Sequence, residues 1–192
     1  MCFLRTKNLS SRQKKGLVLL LIGFSCFIAA FSLKEYQKFQ QNSLSFSEAP
    51  KPENVVEEQD LPAKILIPRL RIDLSVFPAK VANNNWEVSD EAASYLLGSG
   101  IPGREGNVVI YAHNKNHLFG PIRWLEEGDK IRMINKKGEE FIYKVVETKT
   151  VSPDKVEVLS STPDATLTLY TCIGFLDRER FVAVAELKPG QK

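Results

Sequence analysis

Residues 16 to 33 read GLVLLLIGFSCFIAAFSL, 18 residues without a charged side chain, and no other feature restricts this chain so strongly. A helix on the surface of a globular domain keeps one polar face for water, and this stretch has none to offer. As a helix it would be about 27 Å long, close to the roughly 30 Å hydrocarbon core of a bilayer. The span 16–33 is therefore read as a transmembrane helix. Ala30 and Ser32 are small residues two apart, as at a signal-peptide cleavage site, but the apolar region of such a peptide runs only about 7 to 15 residues. A retained anchor fits the length better. Arg5, Lys7, Arg12, Lys14 and Lys15 precede the span, against Lys34, Glu35 and Lys38 just after it. The positive-inside rule then leaves residues 1–15 as a basic tail in the cytoplasm and everything after Leu33 outside.

From Lys34 to Asp60 the chain is rich in Gln, Ser, Glu and Pro, with 3 basic and 6 acidic residues, and its composition offers no apolar face to bury. It is expected to be an extracytoplasmic linker, with KEYQKFQQ at its start able to prolong the helix. The remainder, 61–192, holds 18 basic and 17 acidic residues, so it lacks the one-signed surface that nucleic acid requires. The net charge of +3 comes from the tail.

Within 61–192, short β-branched or alternating runs are bounded by Gly, Pro, Asn and Asp. Strands are expected at 64–67, 70–76, 86–88, 107–112, 129–135, 139–147, 166–171 and 180–187. Eight short strands suggest a barrel, so the fold class is mostly β. Ser89, early acids at Asp90 and Glu91, and Gly98 after Leu97 predict one helix over 90–97. A second helical turn is expected at 121–125.

Candidates for chemistry are few. Of the three cysteines, Cys2 falls in the tail and Cys26 in the apolar span, so Cys172 can form no disulfide within the outer domain. Its two competing readings are a buried apolar strand residue and a reactive thiol. The two histidines lie at one strand exit, in His113-Asn114-Lys115-Asn116-His117. Strand alternation places Val109, Tyr111 and His113 on one face, whereas His117 belongs to a loop. A zinc site from both histidines and Cys172 is possible by ligand type, but the H-x3-H spacing normally works on a helix, so no metal and no cofactor is required. Arg178 and Arg180 open the last strand soon after Cys172, and a tight connection would bring an arginine beside the thiol.

TLYTC at 168–172 resembles the T-L-x-T-C signature of sortases, the cysteine transpeptidases of bacterial surfaces. PGREGNVVIYAHN at 102–114 is similar to the sortase P-G-x-x-G-N run that leads along a strand into the catalytic His. RFVAVAEL at 180–187 resembles the strand that the family's essential Arg begins, and GDKI at 128–131 and VSPD at 151–154 fall where the family has such segments. The resemblance covers about Ile65 to Leu187. It departs from the family at Ala112-His113-Asn114, where Gly-His is usual, and in its short Cys-to-Arg connection. No second apolar span follows, unlike pilus-building sortases with a C-terminal anchor.

The resemblance implies an eight-stranded sortase-like barrel with Cys172 as nucleophile, His113 as proton relay and Arg180 as electrostatic partner. It further implies cleavage of an LPXTG-like sorting signal near the C-terminus of a secreted protein. The acyl group would then pass to an amine of a peptidoglycan precursor or a pilin lysine. Two alternatives use the same residues differently: an L,D-transpeptidase-like envelope enzyme, which resembles S-x-G-C around its thiol, and a tethered binding module without turnover.

Overall fold

The computed structural model describes residues 11–44, 46, 57–82 and 85–188, with side chains of the first helix described for 16–32. The chain forms two compact units, Met1–Gln40 and Gln41–Lys192. The basic tail before residue 11 and linker residues 47–56 lie outside the described residues.

Helix α1 spans Ser11–Ser43, and every described side chain from 16 to 32 is exposed. Among the described residues no helix is long and apolar enough to cross a membrane. The described side chains of α1 end at Ser32, one residue short of the 16–33 span.

Among the described residues the second unit has ten strands: β1 (Pro62–Ile67), β2 (Ile72–Ala79), β3 (Val81–Ala82), β4 (Asn85–Trp86), β5 (Ala93–Leu96), β6 (Gly106–Tyr111), β7 (Lys130–Asn135), β8 (Glu140–Val151), β9 (Ala165–Ile173) and β10 (Glu179–Leu187). Eight of them close a barrel in the order β1-β2-β5-β6-β9-β10-β8-β7, and β3 pairs with β4 apart from it. The turn expected at 121–125 is a 3-10 helix, Gly120–Trp124. Most pairings are antiparallel, but β6 runs parallel to β9 and β2 parallel to β5.

Two expected elements change. The helix expected over 90–97 is instead the barrel strand β5. The helix-start signal was real only as a turn: the Ser89 hydroxyl accepts the backbone N–H groups of Glu91 and Ala92 at 3.2 and 3.1 Å. Beyond it all four residues of β5 are buried, Tyr95 in the barrel interior and Leu96 in the outer cluster. A helix would have turned one side to water, whereas a strand between β2 and β6 is covered on both faces. Conversely, the run at 86–88 contributes only β4, which holds Trp86 outside the barrel. The count of eight stands, with one member exchanged.

Alternation divides the central strands into two faces. Val108, Ile110, Leu167, Leu169, Phe181 and Ala183 fill the barrel. Val109, Tyr111, Tyr170, Cys172 and Val182 face outward into a second cluster that includes Trp86 and Leu159. Leu44 and Phe46 are buried in this outer cluster too, so the compact unit begins ahead of the boundary read at Leu61. Averaged composition across 34–60 concealed two apolar residues spaced two apart.

The loop before β6 depends on two glycines. Gly103 and Gly106 take φ of +81° and +114°, a region that L side chains rarely enter. A Cβ on Gly103 would also stand 2.1 Å from the Phe141 ring. Asn107 then donates to the carbonyls of Val158 and Ser160, each at 3.1 Å, and ties the distant 156–160 turn to β6. Gly103→Ala should therefore destabilise the domain by more than the roughly 1–2 kcal/mol of left-handed strain alone. Urea unfolding tests this, and an unchanged midpoint would contradict it.

Candidate active site

Three strands converge on one patch of the barrel's outer face. β9 and β10 pair antiparallel with Cys172 opposite Arg180. β6 pairs parallel to β9, with Tyr111 opposite Tyr170, so two residues further along each strand His113 reaches the level of Cys172. The Ala112 carbonyl accepts the Thr171 hydroxyl at 2.8 Å, which ties the two strand ends together. The backbone after β6 is held as well, because the His113 carbonyl accepts N–H groups from Lys115 at 2.8 Å and Phe119 at 3.2 Å. The site residues read from the sequence, Cys172, His113 and Arg180, thus meet at one end of three adjacent strands.

The other candidates separate. Arg178 is exposed outside β10, whereas Arg180 is 2% exposed. His117 is exposed in the loop, its Nε2 3.2 Å from the Asp90 carbonyl.

Arg180 is held by its own turn. Its Nη1 donates to the carbonyls of Asp177 at 2.8 Å and Glu179 at 3.1 Å. The turn is tight: Leu176 and Asp177 adopt φ of 55° and 54°, and a Cβ on Gly174 would meet a Glu179 carboxylate oxygen at 2.8 Å. Left-handed backbone at two successive non-glycine residues costs about 1–3 kcal/mol each. It turns the Asp177 carbonyl onto the guanidinium, and carbonyl acceptors make a buried cation tolerable.

Around His113 stand three charges. Asp90 lies 3.8 Å from its Nε2 and also binds Lys115 Nζ at 2.5 Å. Burial is the main force lowering the His113 pKa below the ordinary 6.5, aided by the Lys115 charge and opposed by Asp90 and Asp177. Neutral pH therefore favours the neutral imidazole, the form that can accept a proton. Nothing in the sequence pointed to Asp90 as a neighbour of the histidine, which it precedes by two strands, β5 and β6, and the loop between them. Tyr170 could have been found: it is two residues before Cys172 and so shares its face. Its pKa is raised well above the ordinary value, chiefly by burial.

The outer face of the barrel thus carries a thiol, an imidazole and a guanidinium at one end of three adjacent strands. The family profile for the sortase domain matches residues 65–188, and the chain belongs to the sortase family. It is 32% identical over 133 residues to sortase A of Listeria monocytogenes, covering 67% of this chain and 57% of that protein. To sortase A of Bacillus anthracis it is 25% identical over 170 residues, covering 83% and 78%. The crystal structure of the Listeria sortase A superposes with a TM-score of 0.55 at 30% identity, covering 68% of this chain and 88% of that one. A pilus-related sortase C of Group B Streptococcus shares the fold, with a TM-score of 0.60 at 24% identity over 79% of this chain and 80% of that one.

The electrostatics make a signed prediction. Asp90→Asn removes a charge that favours the imidazolium, so the His113 pKa should fall further. Lys115→Ala removes one that opposes it, so the pKa should rise. With only two histidines in the chain, NMR titration of the ring protons resolves both, and a Cys172→Ala background removes coupling to the thiol. Shifts of the opposite sign would show that Asp90 and Lys115 do not govern the imidazole.

Proposed function

We propose that this chain is a membrane-anchored sortase that cleaves an LPXTG-like sorting signal and passes the acyl group to an amine. The observation that carries this reading is the pairing of Cys172 with Arg180 across β9 and β10, beside the strand end that bears His113.

A free thiol is only a few per cent ionised at neutral pH, and a nearby base supplies the rest. In the proposed cycle His113 takes the Cys172 proton as Sγ attacks the scissile carbonyl carbon. Arg180 donates to the oxygen on which negative charge develops; a guanidinium cannot act as the base, because it stays protonated. The C–N bond breaks, the leaving amine takes the proton from His113, and a thioester remains on Cys172. An incoming amine attacks that thioester and gives its proton to His113, Sγ leaves as the tetrahedral adduct collapses, and His113 returns the proton to Sγ to restore the thiol. One amide is exchanged for another. The donors are secreted proteins with a C-terminal sorting signal, and the acceptor is an amine of a peptidoglycan precursor or a pilin lysine.

The anchor is proposed at 16–33, N-terminus in the cytoplasm and the domain outside. Its support is the uncharged apolar sequence and the exposure of residues 16–32, which leaves a large apolar surface for lipid to cover. Recovery of the chain with membranes after alkaline extraction tests it, and release into the supernatant would contradict it.

Incubating the full chain with sorting peptides and amines should yield the transpeptidation product by mass spectrometry, and Cys172→Ala should yield none. Arg180→Lys should lose about 10² to 10³ in kcat/KM, because a flexible point charge replaces a planar fork of donors. Arg178→Lys should be near wild type. Tolerance at both positions would remove arginine from the mechanism.

A further inference from the structure

The loop that follows His113 is drawn onto one carboxylate. Asp90 Oδ1 stands 3.8 Å from His113 Nε2 and 2.5 Å from Lys115 Nζ, and His117 Nε2 lies 3.2 Å from the Asp90 backbone carbonyl. The hydrogen bond from Lys115 is the main force lowering the Asp90 pKa, opposed by burial and aided by the charges of Lys115 and the two histidines. The group is therefore a carboxylate at neutral pH. Its backbone is fixed by the turn in which the Ser89 hydroxyl accepts the N–H groups of Glu91 and Ala92.

Stability does not call for this arrangement. The Asp90 side chain is 77% exposed, and an ion pair in such a place contributes at most about 1 kcal/mol. The reaction does call for it. An acceptor amine arrives largely as an ammonium, because α-amino groups titrate at about 7.7–8.0 and lysine at about 10.4, whereas the attack needs the neutral form. That form has to be generated beside the imidazole that takes its next proton. Lys115 Nζ shows what the seat accepts: a primary ammonium on the same carboxylate oxygen that faces the His113 ring. Asp177, in the turn before β10, adds a second negative charge acting on that ring.

We propose that Asp90 binds the ammonium group of the acceptor substrate, in the place now held by Lys115 Nζ. This inference rests on the transpeptidase reading and names the residue that selects a cationic nucleophile over water. The bound ammonium releases one proton to solvent, and its lone pair attacks the thioester carbon. The second proton passes to His113 and on to Sγ, and the C–S bond breaks as the new C–N bond is retained. Lys115 then returns to Asp90, since the amide product carries no charge at that nitrogen to compete for the carboxylate.

The test uses the full chain in detergent micelles, acylated by a sorting peptide at pH 7. Three nucleophiles are compared: the α-ammonium of triglycine amide, the ε-ammonium of acetyl-lysine amide, and hydroxylamine, which is uncharged at that pH. Mass spectrometry of the products gives kcat/KM for each. Asp90→Asn keeps the shape of the side chain and should lower the ratio of ammonium to hydroxylamine rates about threefold to fivefold, the worth of one partly exposed ion pair. Lys115→Ala clears the seat and should raise that ratio. A change in the His113 pKa acts on all three nucleophiles and cancels, so a role confined to the imidazole leaves the ratio where it was. The larger fall between the two ammonium compounds tells a peptide terminus from a lysine side chain as the preferred acceptor. An unchanged ratio in folded Asp90→Asn, or an unchanged or lower one in Lys115→Ala, would overturn the proposal, and the lysine variant decides the matter if Asp90→Asn does not fold. In either case the hydroxylamine product leaves the transpeptidase reading standing. A wild-type chain that forms no product with any of the three would overturn that reading and this inference with it.

Discussion

β9 is hydrogen-bonded on both edges, parallel to β6 and antiparallel to β10, and those two registers fix every relation at the site. Because side chains alternate along a strand, a slip of one residue would turn Cys172 into the barrel and Thr171 out. The register is enforced from both faces. Leu167 and Leu169 fill the interior, while Tyr170 stacks on Tyr111 outside with centroids 5.2 Å apart. A parallel neighbour matters as much as an antiparallel one: β6 and β9 both deliver their C-terminal ends to the same rim, one leading into His113 and the other bearing Cys172.

The outer face combines requirements that ordinarily conflict. A nucleophilic site needs charged groups held still, and a low-dielectric surround makes their interactions strong but their burial costly. The chain meets this with carbonyl acceptors for Arg180, supplied by a strained turn, and with burial that keeps His113 neutral near pH 7. The aromatic layer of Trp86, Tyr111, Tyr170 and Phe46 shares one buried cluster with Cys172, each ring pair adding about 0.5–1.5 kcal/mol beyond its buried area. The packing of the outer face and the burial of the thiol thus depend on one set of contacts.

How far the sequence reveals this depends on whether the information is local. Cys172 and Arg180 are eight residues apart on a hairpin, and His113 ends an apolar strand, so motif and alternation located all three. The glycines of the 102–107 run were visible as letters, but their reason, positive φ and the Phe141 ring at Gly103, appears only in three dimensions. Asp90–Leu97 carries authentic helix-start chemistry in Ser89 and still becomes a strand, because burial on both faces outweighs propensity. Leu44 and Phe46 escaped because two apolar residues in a polar stretch acquire meaning only from the surface they meet. Asp90 escaped because its partner His113 is distant in sequence.

The most direct test of the central claim is a structure of the full chain with a sorting peptide trapped covalently on Cys172. The account predicts the oxygen of the attacked carbonyl within hydrogen-bond distance of the Arg180 guanidinium, and His113 on the side from which the amine leaves. A carbonyl oxygen turned away from Arg180, with His113 out of reach of the leaving group, would contradict it.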